Sequence, residues 1–494
     1  MKKVGIIVAI LAVLAAAGGG AYYYFTNTPK NLFLLSEKKS LEDYSDYANS
    51  RFEQETEFQE KTAKEAYSNV IKLAVDVPES VLNEFGIPTS LLDSTSVEFV
   101  QAHDPKANKS EVSFTPTIGG GSTDPFTWFS DDKAQYVKAP LFNDTLMVKN
   151  DEMEQAYEKL VGESAPKEMD LNALNLNKLM DSNLTVEDLN DIQQRYIKVI
   201  VDSLEDDQFE KKDATTKIFD KEQKLSAVTM TMKKADVQRV GTNIIKELRD
   251  DKQLKEMYDS SSAVYGEQSY DSLLDDLQKE VDDVNVDEVV VTNYIDGKDV
   301  LKRDIVIKQD GKELAKMNTT QQFDNGVKMD ATFVDETGFT INVKGTSTGT
   351  DDAKDDYTLT TSSDEDGISP VEITVKNEAT LKGSERKGTL DVAVKDEEAT
   401  EPFTVKTAYT MDTDKKNNTQ KSNADITIPM GDDNIVVHYN MDTTLKAKLD
   451  FDTKNAKDLN ALSDAELQEV QGNLLTNVFT IVDQLNLQDM FGTY

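Results

Sequence analysis

From Asp287 onward, apolar and polar residues alternate almost one for one. Val327, Met329, Ala331 and Phe333 form one such run. Phe339, Ile341 and Val343 form another, and Val371, Ile373 and Val375 a third. The pattern continues through Leu390, Val392 and Val394, then Ala424, Ile426 and Ile428, then Leu445, Ala447 and Leu449. The positions between them are mostly Thr, Lys, Asp and Asn. A strand sends successive side chains to opposite faces, so this pattern predicts antiparallel strands with one covered and one wet face. Asp296-Gly297 and Asp310-Gly311 read as two-residue hairpin turns, whose central positions favour positive φ. Asn325-Gly326, Thr337-Gly338 and Gly431-Asp432 mark later turns. Roughly ten to twelve strands follow from this spacing, and a sheet that large should curl strongly.

The first half mixes periods. Leu41, Tyr44, Tyr47 and Phe52 recur at near-helical spacing and predict a long, mainly surface-exposed helix reaching about Tyr67. Val70 to Val77 reads as a strand. Val97–Val100 with Val112–Phe114, and Phe126–Phe129 with Ala134–Val137, read as hairpins. Helical stripes return at Tyr196, Val199 and Ile200, at Val237, Val240 and Ile244, and at Leu273, Leu274, Leu277 and Val281. Ser463 with Glu466 is a capping box opening a last helix. Leu467, Val470, Leu474, Val478, Ile481, Val482 and Leu485 lie along one stripe of that helix, which is the expected cover for the sheet's apolar face. The expected fold class is α+β: large curled antiparallel meander sheets covered on one face by helices, with room for two related lobes. The expected division is residues 1–30 as stub, anchor and exit, 31–265 as an N-terminal α+β lobe, and 266–494 as a C-terminal meander lobe.

The segment VGIIVAILAVLAAAGGGAYYYF, Val4 to Phe25, carries no charge. At ~1.5 Å rise per residue it would span about 33 Å as a helix, enough for a ~30 Å hydrocarbon core. Lys2 and Lys3 favour a cytoplasmic N-terminus, and Tyr22, Tyr23 and Tyr24 fit an interfacial belt. The expectation is a single-pass anchor at the cell membrane with an extracellular body. A cleaved signal peptide ending near Ala15-Ala16-Ala17, giving a secreted product, is the alternative.

Composition narrows the chemistry. The 494 residues include no cysteine, which removes disulfides, thiol nucleophiles and cysteine-ligated zinc. A formal charge of −38 disfavours nucleic acid as a partner. The two histidines, His103 and His438, share no motif, and no nucleophile elbow is present. Asp364-Glu365-Asp366-Gly367 looks like part of a calcium loop. In that register, however, Ile373 falls where a bidentate carboxylate is required, so a hairpin turn is the better reading. No catalytic residue, metal site or cofactor is assigned.

TPKNLFLLSEKKS after the apolar leader, and YIDGKDVLKRDIVI later, resemble a group of uncharacterised membrane-anchored envelope proteins of Gram-positive bacteria. The helix-plus-meander plan also resembles the lipoprotein-carrier family, the LolA/LolB-like and mycobacterial lipoprotein fold. That resemblance implies a sheet closed by helices around an acyl chain. This chain departs from it in lacking a lipobox cysteine, in its greater length and in its acidity. The leading expectation is a non-enzymatic, membrane-tethered extracytoplasmic protein that binds a lipid or other apolar ligand between sheet and helices. Phe333, Phe339, Ile341, Leu474, Val478 and Phe479 are the candidate contacts. An envelope scaffold with a packed core and a carboxylate-dependent hydrolase are the alternatives, and protein partners are unassigned.

Overall fold

A computed structural model describes residues 28–487, apart from 86–87, 93, 165–170, 172–174, 182–185, 266–267, 364–368 and 398. One sheet of 21 strands organises it. The sheet begins at Phe209–Ile218, which pairs with Lys221–Lys233. Three helices intervene, Lys234–Asp250, Lys252–Tyr265 and Tyr270–Asp282, before Glu288–Asp296 pairs back onto Lys221–Lys233. From there each strand pairs antiparallel with the next, as far as Asp433–Leu445. Asp310 and Gly311 both adopt positive φ, +53° and +73°, as their hairpin requires.

The far side of Asp433–Leu445 pairs with Tyr67–Asp76 from the other end of the chain, Val75 opposite Val437 and Ile71 opposite Met441. Ser96–Asp104, Lys109–Ile118, Phe126–Ser130, Ala134–Lys138 and Leu146–Lys149 then extend the sheet. Lys457–Asp458 closes that edge as a short parallel partner of Leu146–Lys149. The opposite edge strand, Phe209–Ile218, carries Glu210, Lys211, Lys212 and Asp213, charges that discourage edge-to-edge pairing.

The helix Pro29–Arg51 lies on the sheet. Thr28 caps its N-terminus by accepting from the Asn31 N–H. Phe33 meets Phe209 edge-on at 5.5 Å within the largest apolar core, beside Ile200, Val228, Met230, Val240 and Val289. Further along, the buried face turns polar. Glu37 receives Asn293 Nδ2 (2.6 Å) and pairs with Arg303. Ser40 Oγ accepts from Gln321 Nε2 (2.8 Å), and Arg51 pairs with Asp355. The chain breaks at Phe52 and continues as Glu53–Thr62, which buries Phe58 against Tyr67, Leu176, Met180 and Leu445.

Four expectations are corrected by this arrangement. The strands do not form separate curled sheets in two lobes; Tyr67–Asp76 joins both ends of the chain into one sheet. The first long helix does not run unbroken to Tyr67: Pro29–Arg51 ends at Phe52, and it begins ahead of the expected stretch, burying Phe33, Leu34, Ser36, Glu37 and Ser40, while residues 41–50 are half-buried or exposed. The last helix, Asp464–Gln484, does not cover the meander. Its Leu467 and Val470 pack on Ala156, Leu459 and Leu462. Its C-terminal end meets the Gly119–Gly121 turn, where the Gln484 carbonyl leaves no room for a side chain at Gly121.

The fourth correction concerns the membrane. The stretch expected to anchor the chain, Val4 to Phe25, lies outside the described residues. Among the described residues no helix is long and apolar enough to cross a membrane. Pro29–Arg51 carries charges along its length, and Asp464–Gln484 carries Asp464, Glu466 and Glu469 at its start, Asp483 near its end and polar residues between. The single-pass helix, and the membrane partnership and cell-membrane location that rested on it, therefore have no support among the described residues.

Candidate functional site

The helix break at Phe52 leaves an open cavity of about 680 Å³ between helix and sheet. Tyr47, Ala48, Arg51, Phe52 and Glu55 form the helical wall, and Val375, Leu390 and Met411 line the apolar floor. Tyr357 and Tyr409 complete it, each lying over a glycine on the neighbouring strand. A Cβ on Gly345 would fall 2.2 Å from the Tyr357 ring, and one on Gly388 would fall 2.7 Å from Tyr409. The two glycines therefore let both rings lie flat on the sheet.

One end of the cavity is polar and tightly ordered. Arg51 donates from Nη1 and Nη2 to the two Asp355 oxygens, both at 2.6 Å. Asn377 Nδ2 donates to Asp355 Oδ2 (2.8 Å), and Tyr409 OH donates to Asn377 Oδ1 (2.8 Å). Arg386 Nε donates to Glu55 Oε1 (2.7 Å), and its Nη2 donates to the Arg51 carbonyl. Both guanidinium groups lie about 5 Å from the Phe52 ring centroid, within cation–π range. Burial pushes the Asp355 carboxyl up. Hydrogen bonds from Arg51, Ser347 and Asn377 outweigh it and hold the group below the usual carboxylate range. Burial pushes the Tyr409 hydroxyl up, so it stays a proton donor. This arrangement can orient a polar group beside an apolar floor. It offers no nucleophile paired with a base.

Of the candidate contacts, Phe333 and Ile341 sit opposite one another on adjacent strands. Alternation puts Ile341 on the same face as Ser347, which lines the cavity. Phe339 lies just before its strand, its N–H held by Asp335 Oδ1 (3.0 Å). None of these three reaches the cavity lining. Leu474, Val478 and Phe479 are on the last helix, elsewhere on the sheet, with Val478 44% and Phe479 73% exposed. A recess beside that helix holds only about 40 Å³. The residues that do build the cavity were hidden because Arg51, Glu55, Asp355 and Arg386 are charges among many charges. The near-helical spacing of Tyr44, Tyr47 and Phe52 was the usable signal.

The histidines resolve into two settings. His103 is buried, its Nδ1 2.8 Å from Ser110 Oγ, which in turn donates to Asn177 Oδ1 (2.6 Å). Ser110 is wholly buried, so this group ties strand to helix and presents no attacking hydroxyl. His438 lies on the outer face between Asp425 Oδ1 (2.6 Å) and Asp76 Oδ2 (3.0 Å). Hydrogen bonds to Asp76 and Asp425 raise its pKa. Asp364-Glu365-Asp366-Gly367 lies outside the described residues. Among the described residues no group of three or more His, Asp or Glu is placed to hold a metal.

No family model matches the chain, and no curated protein matches it. Among solved structures, a mutant of the Rh. blastica porin aligns over 77% of this chain and 98% of its own, at 8% identity and a TM-score of 0.22. A loop-deletion mutant of OmpT, an outer membrane protein of Vibrio cholerae, aligns over 77% and 98%, at 8% identity and a TM-score of 0.17. At scores this low neither likeness carries an argument about fold or function.

Proposed function

We propose that this protein is a non-enzymatic binder of an apolar or amphipathic small molecule, held in the cavity between the Phe52 helix break and the meander. The observation that carries this reading is the cavity's size and lining: about 680 Å³ over Val375, Leu390 and Met411, with ordered polar groups at one end. Small-molecule sites typically run ~300–1,000 Å³ and pair an apolar surface with a few placed polar groups. The Arg51–Asp355 and Arg386–Glu55 pairs fix the walls, so little ordering remains to oppose binding.

The test is titration with the fluorescent apolar probe N-phenyl-1-naphthylamine, alongside solvent extraction and mass spectrometry of the purified protein. A saturable site should appear in the wild type and be lost in Leu390→Trp, where the added ring fills the floor. Equal probe binding by wild type and Leu390→Trp, with unchanged unfolding midpoints, would show that the cavity is not the site.

A further inference from the structure

The sheet face that carries the cavity is covered by helix at one end of its strands and bare at the other. Ala331, Val343, Leu359, Ile373, Val394 and Phe403 form a row in which each lies directly opposite the next on an adjacent strand. Two positions along, Tyr357, Val375, Val392 and Val405 form a parallel row, and its first two members line the cavity. Alternation puts both rows on one face. None of the first row is buried, and Val394 and Phe403 are 38% and 50% exposed. The helices Pro29–Arg51 and Glu53–Thr62 cross the opposite end of these strands. Their contacts fall at Gln321, Gly349, Gly383, Arg386 and Lys415.

Charge distinguishes the two ends. Glu53–Thr62 is an acidic helix, and it sits beside bases. Arg386 donates to Glu55 at 2.7 Å, Lys415 pairs with Glu57, and Lys382, Lys387 and Lys416 lie in or next to the same turns. The bare end has the opposite sign. Asp335, Glu336, Asp396, Glu397, Glu401, Asp432 and Asp433 stand in or beside its turns. Residues 336–339, 397–402 and 431–432 include no Lys or Arg. An apolar face bordered by acids is matched by an apolar surface edged with bases. A second copy of this chain does not supply one, because it brings the same acids, and a charge of −38 on each copy opposes their approach. From Gly326–Asp335 to Phe403–Asp414 the face is five inter-strand steps wide, about 24 Å at ~4.8 Å each. About 16 helical residues span that width at ~1.5 Å rise.

We propose that the bare face docks a basic amphipathic helix of a partner protein, its apolar stripe on the Ala331–Phe403 row and its Lys or Arg side chains over the acidic turns. The partner helix lies alongside the acidic helix that the chain itself supplies, with the charges of both helix and turns reversed. This surface is separate from the cavity and does not depend on a small molecule binding there.

The test measures binding of fluorescently labelled helical peptides of about 16 residues to the full chain, by anisotropy at pH 7. One peptide has Leu and Lys in amphipathic order, one has Glu in place of Lys, and one has Ser in place of Leu. The Leu/Lys peptide should bind at one site, and the Leu/Glu and Ser/Lys peptides at least tenfold more weakly. Val394→Ser/Phe403→Ser, at two exposed positions, should weaken Leu/Lys binding at least tenfold with an unchanged unfolding midpoint. Glu397→Lys/Glu401→Lys should weaken the Leu/Lys peptide and strengthen the Leu/Glu peptide. Glu210→Lys/Asp213→Lys, the same charge change on the far edge strand, should alter neither. Equal binding of the Leu/Lys and Ser/Lys peptides, no loss in Val394→Ser/Phe403→Ser, or equal effects of the two charge reversals would overturn the docking face. So would a wild-type dimer in sedimentation that Val394→Ser/Phe403→Ser dissociates, which would give the face to a second copy. N-phenyl-1-naphthylamine binding reports on the cavity alone, so either reading can fail without the other.

Discussion

Replacing Arg303 by Met strands a charge beneath the long helix. Glu37 is 2% exposed and lies between Arg303 and Asn293, which donates at 2.6 Å. Arg303 Nε also donates to Asn293 Oδ1 at 3.2 Å, so one guanidinium orders both neighbours. Removing it leaves a buried carboxylate with one amide donor. Breaking a buried ion pair from one side costs about 3–5 kcal/mol. The lost Asn293 bond lies within that figure rather than on top of it, because the same truncation removes both. The carboxylate has one escape, which is to take up a proton. Burial already raises the Glu37 pKa in the intact protein, against the opposing attraction of Arg303. Without Arg303 it rises further, and each pH unit below that value recovers about 1.4 kcal/mol.

Urea unfolding of Arg303→Met should therefore show a loss of about 3–5 kcal/mol at pH 7 and a clearly smaller loss at pH 5. The sign follows from the raised pKa: between the unfolded and folded values the native state holds the extra proton, so stability falls as pH rises. The double variant Glu37→Met/Arg303→Met removes both charges and should come within about 1 kcal/mol of wild type. A single variant that loses under about 1 kcal/mol, or a double variant no better than the single, would refute the buried-pair account.

Three other outcomes are expected. Gly345→Ala places a methyl 2.2 Å from the Tyr357 ring and 2.6 Å from the Asp356 carbonyl, and should lower stability by about 1–3 kcal/mol by urea unfolding. His438, its pKa raised by Asp76 and Asp425, should add stability that is full below the ordinary histidine value and disappears as pH rises through the raised one. NMR titration should find that raised value, and His438→Gln should flatten the pH slope of the unfolding midpoint. Phe479→Ser, at a position 73% exposed, should change stability by no more than about 0.5 kcal/mol.

The hairpins were legible because their signal is local. Strict alternation around Asp310-Gly311 and Asn325-Gly326 names the strands and their register without reference to the rest of the chain. The inner face of the helix Pro29–Arg51 was not legible because much of it is polar. Glu37, Ser40, Tyr44, Tyr47 and Arg51 fall at helical spacing, yet their partners Asn293, Arg303, Gln321 and Asp355 are hundreds of residues away. Hydrophobic patterning cannot see a face that is buried by pairing charges. The last helix failed in the opposite way. Its apolar stripe announces that something is buried but not against what, and Leu459 and Leu462 proved to be the neighbours rather than the meander. The cavity falls between these cases: its aromatic wall left a trace in the sequence, and its charged end did not.

The strand Tyr67–Asp76 has one partner close behind it and the other more than 350 residues downstream. During synthesis the early hairpins therefore wait with an open flank until the ribosome has passed residue 445. Loop closure of that size is slow, and an unpaired flank invites pairing with another nascent chain. Productive maturation should thus favour slow crowding-free conditions or a holdase, and truncation before Asp433 should yield aggregates rather than a smaller folded product.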